Sequence, residues 1–298
     1  MFTGCGTAMV TPFKRDGSLD EATLRSLVQR QIEQGIDFLV PCGTTGENPT
    51  LSFEEHIRVV AITVEEAKKK VPVLAGAGGY NTSEVIELAE ACQKAGADGI
   101  LSVTPYYNKP TQEGLVQHFT AIASAVSLPI IVYSVQGRTG CNVLPSTLAR
   151  LAKIPNIAGV KEASGDISQI ANVIHEVPAG FKVFSGDDIM AIPVISLGGH
   201  GVISVVSNQI PKAMTQLTRF ARQGDYASAR EIQRYFMPLF RTNFVETNPI
   251  PVKWSMHLMG LLEPVYRLPL VEPSAESRTK ISQALEDVQI AAVNRAAV

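Results

Sequence analysis

Along most of the chain, short apolar runs alternate with longer stretches whose apolar positions recur at helical spacing. The short runs are Gly6–Val10, Phe38–Pro41, Val73–Ala75, Gly99–Val103, Ile130–Tyr133, Ala158–Lys161, Lys182–Ser185 and Gly201–Val205. They are bounded by Gly, Pro, Asn or Asp, and most are continuously apolar, as strands buried on both faces are. The stretches between them predict helices. Ser18-Leu19-Asp20-Glu21 and Ser52-Phe53-Glu54-Glu55 have the spacing of capping boxes. Val85, Leu88, Ala89 and Cys92 follow the i, i+3, i+4, i+7 rule of a helix with one buried face. Gly35 and Gly96 stand where such helices should stop, each just ahead of a strand.

Eight successive β/α units predict an α/β fold, a (β/α)8 TIM barrel of parallel strands. An open doubly wound sheet is the alternative, but no G-x-G-x-x-G follows the first run. From about Gln223 onward the strand signals cease. Helical patterns follow, interrupted by Pro238 and by Asn248-Pro249-Ile250-Pro251. The expected organisation is a catalytic barrel over residues 1–222 and a C-terminal helical extension over residues 223–298.

Composition narrows the class. Of the 298 residues 45% are apolar and 18% charged, and the formal net charge is -2, so no nucleic-acid-binding surface is expected. The densest basic run, Lys68-Lys69-Lys70, closes a helical pattern, where cations suit the helix dipole. No apolar run approaches the roughly 20 residues of a membrane span. The opening Met1-Phe2-Thr3-Gly4 has no basic segment ahead of an apolar one, so a secretory signal is not expected. Cys5, Cys42, Cys92 and Cys141 are far apart, which points to reduced thiols in a cytoplasmic protein and to no metal site.

In such barrels the chemistry lies at the C-terminal ends of the strands. After the second run comes Cys42-Gly43-Thr44-Thr45-Gly46-Glu47, whose glycines would let the backbone turn and aim N–H and hydroxyl groups at a small carboxylate, or would simply make a turn. After the fourth comes Thr104-Pro105-Tyr106-Tyr107-Asn108-Lys109-Pro110, where Tyr106 is expected to be a packing residue. Tyr133 ends the fifth run, with Arg138 in the following loop. Lys161 continues the buried sixth run, the sharpest anomaly in the chain, because lysine is seldom buried unless paired or functional. Burial disfavours an ammonium, and a free amine in a dry barrel mouth can form an imine with a ketone. Alternatively Lys161 lies one residue past the buried run and reaches solvent. An amine, tyrosine and threonine hydroxyls and an arginine, all at strand ends, would converge on one cavity.

The motifs Gly43-Thr44-Thr45-Gly46-Glu47, Thr104–Gly114, Arg138-Thr139-Gly140, Val160–Gly165, Ser185-Gly186-Asp187-Asp188, Gly198–Ser204 and Asn248–Lys253 resemble the dihydrodipicolinate synthase family in order and spacing. The resemblance covers nearly the whole chain. It implies that Lys161 captures pyruvate as a Schiff base and that Tyr133 is the adjacent general acid/base. It also implies a proton relay through Thr44 and Tyr107, the latter supplied by a neighbouring subunit of a homotetramer built from two tight dimers. Thr45 would bind the pyruvate carboxylate, Arg138 the carboxylate of aspartate semialdehyde, and Gly186 and Ile203 would line the pyruvate pocket. The protonated imine acts as electron sink, so no cofactor is implied. His56, Tyr80, Glu84 and Tyr106 match an allosteric lysine pocket at the dimer interface, but Tyr80 stands where asparagine is usual, and its bulk is expected to fill the pocket and weaken feedback. Tyr133-Ser134-Val135-Gln136-Gly137-Arg138 stands where the family usually reads Tyr-Asn-Val-Pro before its arginine, so a less rigid loop is expected. Rival readings are another pyruvate-dependent aldolase, such as N-acetylneuraminate lyase or a 2-keto-3-deoxy-sugar-acid aldolase, and a non-catalytic keto-acid-binding barrel.

Overall fold

Every apolar run forms a strand in the computed structural model, which describes residues 1–290. The strands are β1 (Gly4–Ala8), β2 (Phe38–Val40), β3 (Leu74–Gly76), β4 (Gly99–Val103), β5 (Ile130–Ser134), β6 (Ile157–Glu162), β7 (Lys182–Ser185) and β8 (Gly201–Ser204). They are parallel, in the order β2-β1-β8-β7-β6-β5-β4-β3. A parallel bridge from Leu39 to Val73 returns β2 to β3 and closes the (β/α)8 barrel. β1 starts and ends two residues earlier than expected. Gly4 and Cys5 pair with Gly201 and Val202, whereas the Val10 amide leaves the ladder to donate to the Asn208 side chain.

The helices around the barrel are α1 (Glu21–Glu33), α2 (Phe53–Ala67), α3 (Thr82–Lys94), α4 (Gln112–Ala125), α5 (Gln136–Thr139), α6 (Pro145–Leu151), α7 (Ile167–Glu176), α8 (Ala191–Ser196) and α9 (Pro211–Arg222). The Ser52–Glu55 capping box forms in full at α2. The one expected at Ser18 does not. Asp20 caps α1, because the Ser18 hydroxyl donates to Asp16 at 2.6 Å. Gly35 and Gly96 adopt φ of +82° and +92° and end their helices as the pattern requires.

Strand side chains alternate between two apolar layers. Phe38, Val40, Ile131, Tyr133, Phe184 and Ile203 fill the barrel interior, and Leu39, Ile130, Val132 and Val202 face the helices. Phe38 fits because Gly6 opposes it. A Cβ at Gly6 would lie 2.1 Å from the Phe38 ring, which packs edge-on against Phe2 and Phe184 at 5.5 and 5.6 Å.

Three helices follow: α10 (Tyr226–Thr242), α11 (Ile250–Leu258) and α12 (Ala275–Asp287). α10 packs on α9, and α12 packs on both α10 and α11. Their buried Leu239, Phe240, Val252, Trp254 and Leu285 join the same apolar cluster as the barrel helices. The expected boundary at residues 222/223 falls in the turn between α9 and α10, and residues 291–298 of the expected extension lie outside the described residues. No helix among the described residues is long and apolar enough to cross a membrane.

Candidate active site

At the C-terminal ends of β5 and β6, Tyr133 and Lys161 are paired in register. Period-two alternation sends both inward, while their neighbours Ser134 and Glu162 point to the helices. Glu162 accepts from Ser164 and Gln169 there, and its carboxyl is raised by burial. Lys161 is 5% exposed, so it does not reach bulk solvent. Its Nζ stands 4.2 Å from the centroid of the Tyr133 ring. No carboxylate among the described residues lies within ion-pairing distance of it. The second buried lysine, Lys253, is by contrast paired with Glu47.

Thr44 and Thr45 lie on a single 3-10 turn over Thr44–Gly46. The left-handed residues that make this turn are Cys42 (φ 56°) and Glu47 (φ 53°), not the expected glycines. Gly46 is small for another reason: a Cβ there would stand 3.2 Å from the Met9 carbonyl oxygen. Arg138 sits on α5, where the Thr139 and Gly140 amides bond to Val135 and Gln136. The segment that lacks the family's proline is therefore held as a helical turn.

These groups surround a cavity of about 150 Å³. Thr44, Thr45, Tyr133, Arg138, Lys161 and Gly186 line it. A Cβ at Gly186 would come within 2.6 Å of Ala163 Cβ, so glycine keeps that wall close-packed. Ile203 is fully buried in the interior cluster with Tyr133. Tyr107 is 93% exposed with φ 70° and takes no part in the cavity of its own chain.

Asp187, Val205, Phe244 and Asn248 also line the cavity without having been singled out from the sequence. Asn248 is central. Its Nδ2 donates to Thr45 Oγ1 at 3.0 Å, and its carbonyl accepts from Arg138 Nη2 at 3.1 Å. It opens the Asn248–Lys253 motif, but nothing local marks it as a partner of residues 45 and 138. Behind the Gly186–Asp187 wall, Asp188 accepts from the Val205 and Val206 amides, and burial pushes its carboxyl up to about 6.

His56, Tyr80, Glu84 and Tyr106 all line a second cavity, of about 360 Å³. Tyr80 does not fill it. Its ring is half-exposed and packs edge-on against Tyr106 at 5.2 Å. His56 is buried, with Nε2 2.7 Å from the Gly76 carbonyl oxygen, and burial pulls its pKa down. Among the described residues, no group of three or more His, Cys, Asp or Glu side chains could hold a metal ion.

A closed (β/α)8 barrel with a buried amine, a phenol and hydroxyls at its C-terminal mouth defines a barrel of the aldolase-lyase type. A model described as the dihydrodipicolinate synthetase family matches residues 1–288. The 4-hydroxy-tetrahydrodipicolinate synthase of Koribacter versatilis (strain Ellin345) is 53% identical over 281 residues, covering 94% of each chain. The crystal structure of dihydrodipicolinate synthase from Aquifex aeolicus superposes with a TM-score of 0.97 at 41% identity, covering 98% of this chain and 100% of that one. A second crystal structure, the chloride-inhibited enzyme from Acinetobacter baumannii complexed with pyruvate, gives 0.96 at 45% identity over 97% and 100%. The chain belongs to the dihydrodipicolinate synthetase family.

Proposed function

We propose that the 150 Å³ cavity condenses pyruvate with L-aspartate 4-semialdehyde to give 4-hydroxy-tetrahydrodipicolinate, a step towards diaminopimelate and lysine. The observation that carries the reading is the buried Lys161 amine over the Tyr133 ring at the cavity floor. The Lys161 amine adds to the pyruvate ketone and water leaves, forming a protonated imine. Loss of a methyl proton through Tyr133 gives an enamine whose carbon attacks the aldehyde, and the new alkoxide takes a proton. The amino group of the second substrate then attacks the imine carbon, closes the ring and releases Lys161. One water is lost overall, and the imine nitrogen is the electron sink throughout.

Thr45 and Thr44 supply hydroxyls for the pyruvate carboxylate and the proton relay. Arg138, at the mouth, offers a guanidinium to the carboxylate of the semialdehyde. Tyr107 completes the relay from a second copy of the chain, which accounts for its exposure in a single copy and makes the working unit at least a dimer, within a homotetramer. The free thiols of all four cysteines fit a reducing cytoplasmic compartment.

Borohydride reduction in the presence of pyruvate tests the reading. One reduced pyruvate adduct should appear on Lys161 and vanish in Lys161→Ala. In the same experiment Arg138→Ala should trap pyruvate normally but need a much higher semialdehyde concentration for condensation. Absence of an adduct in the parent sinks the reading, whereas an adduct with turnover of N-acetylmannosamine instead of the semialdehyde moves it to the sugar-acid lyases.

A further inference from the structure

Glu47 and Lys253 are wholly excluded from solvent and meet as an ion pair behind the Thr44–Thr45 turn. Lys253 Nζ also donates to the Val265 carbonyl at 2.6 Å and lies over the rings of Phe13 and Tyr266. Glu47 keeps a left-handed backbone and accepts from the Arg267 amide. Neither charged group lines the cavity.

A buried ion pair is a poor source of stability, since well-packed apolar residues of similar volume do as well or better. What it provides is direction. It joins two segments that wall the cavity, Thr44–Glu47 and Asn248–Lys253. The bond from Asn248 Nδ2 to Thr45 joins the same two segments a second time, at the cavity itself. Two separated links stop the Thr45 turn from rotating, and Arg138 is tied to the same frame through the Asn248 carbonyl.

We propose that the Glu47–Lys253 pair is a positioning element for the condensation, holding the Thr44 and Thr45 hydroxyls in register with Lys161; the proposal rests on the reading of the cavity as a pyruvate site. Burial lowers the Lys253 ammonium from its ordinary value, and the Glu47 charge opposes that shift. Glu47→Gln alone removes the charge at position 47 but keeps a side chain of the same length whose amide oxygen can still accept from Lys253 Nζ. The double variant Glu47→Gln/Lys253→Met removes both charges and the bond.

The test compares the parent and these two variants by thermal unfolding and by the rate of borohydride-trapped pyruvate adduct. The double variant should unfold at or above the parental midpoint while its trapping rate falls about tenfold or more. Glu47→Gln should keep most of the rate. A double variant that traps at the parental rate overturns the proposal. Slower trapping matched by an equal loss of folded protein also overturns it, because the pair is then merely structural. A parent that forms no adduct at all removes the pyruvate reading and this proposal with it.

Discussion

Gly76→Ala tests how rigidly the barrel carries the Thr44–Thr45 turn proposed to serve the condensation. Gly76 ends β3; its amide donates to Pro41 at 2.9 Å, and its carbonyl faces His56. A Cβ at this position would lie 2.1 Å from the Cys42 oxygen, 2.5 Å from the Cys42 carbonyl carbon and 2.9 Å from the Gly43 nitrogen. All three are backbone atoms, so no rotamer change relieves the clash. Restoring ordinary contact moves the closest pair from 2.1 Å to at least 3.4 Å, an opening of about 1.3 Å between the ends of β2 and β3. Overpacking of this kind costs about 1–3 kcal/mol. The displaced Cys42–Gly43 peptide leads directly into Thr44 and Thr45, and misplacing catalytic groups by about 1 Å costs about 100-fold in rate. The expected result is a lowered unfolding midpoint together with pyruvate trapping about 100-fold slower than in the parent. Gly180→Ala, where an added Cβ meets nothing within 4 Å, serves as the control. If Gly76→Ala loses stability but traps at the parental rate, strain at the strand end is not passed to the turn and the argument fails.

Two further predictions concern the second subunit and pH. If Tyr107 works across an interface, mixing inactive Lys161→Ala with impaired Tyr107→Phe restores activity, since one site in each hybrid dimer holds both native side chains; a mixture no more active than its components refutes this. His118 is buried, with Nδ1 2.9 Å from Thr82 Oγ1 and no partner for Nε2 among the described residues, and burial pulls its pKa from 6.5 to about 4. Between those values the unfolded chain binds the proton and the folded one does not, so stability falls as pH drops from 6.5 towards 4, by at most about 3 kcal/mol. His118→Phe should flatten that acid limb in urea unfolding, and an unchanged slope across the window would count against the assignment.

Much of the molecule is written locally. Continuous apolar runs between glycine and proline became eight strands, Ser52 with Glu55 capped α2, and a lysine inside a buried run became an inward-facing amine, because period, capping and helix stops depend on residues a few positions apart. What local pattern could not supply was the partner of each buried group. Phe38 is accommodated by Gly6, its register partner on the neighbouring strand 32 positions away in sequence. Thr45 meets Asn248 and Glu47 meets Lys253 across more than 200 residues of sequence. Barrel closure and the docking of α11 decide those meetings. They bring distant segments to a few ångströms, where the penalty for an unpaired buried polar or charged group selects the partner.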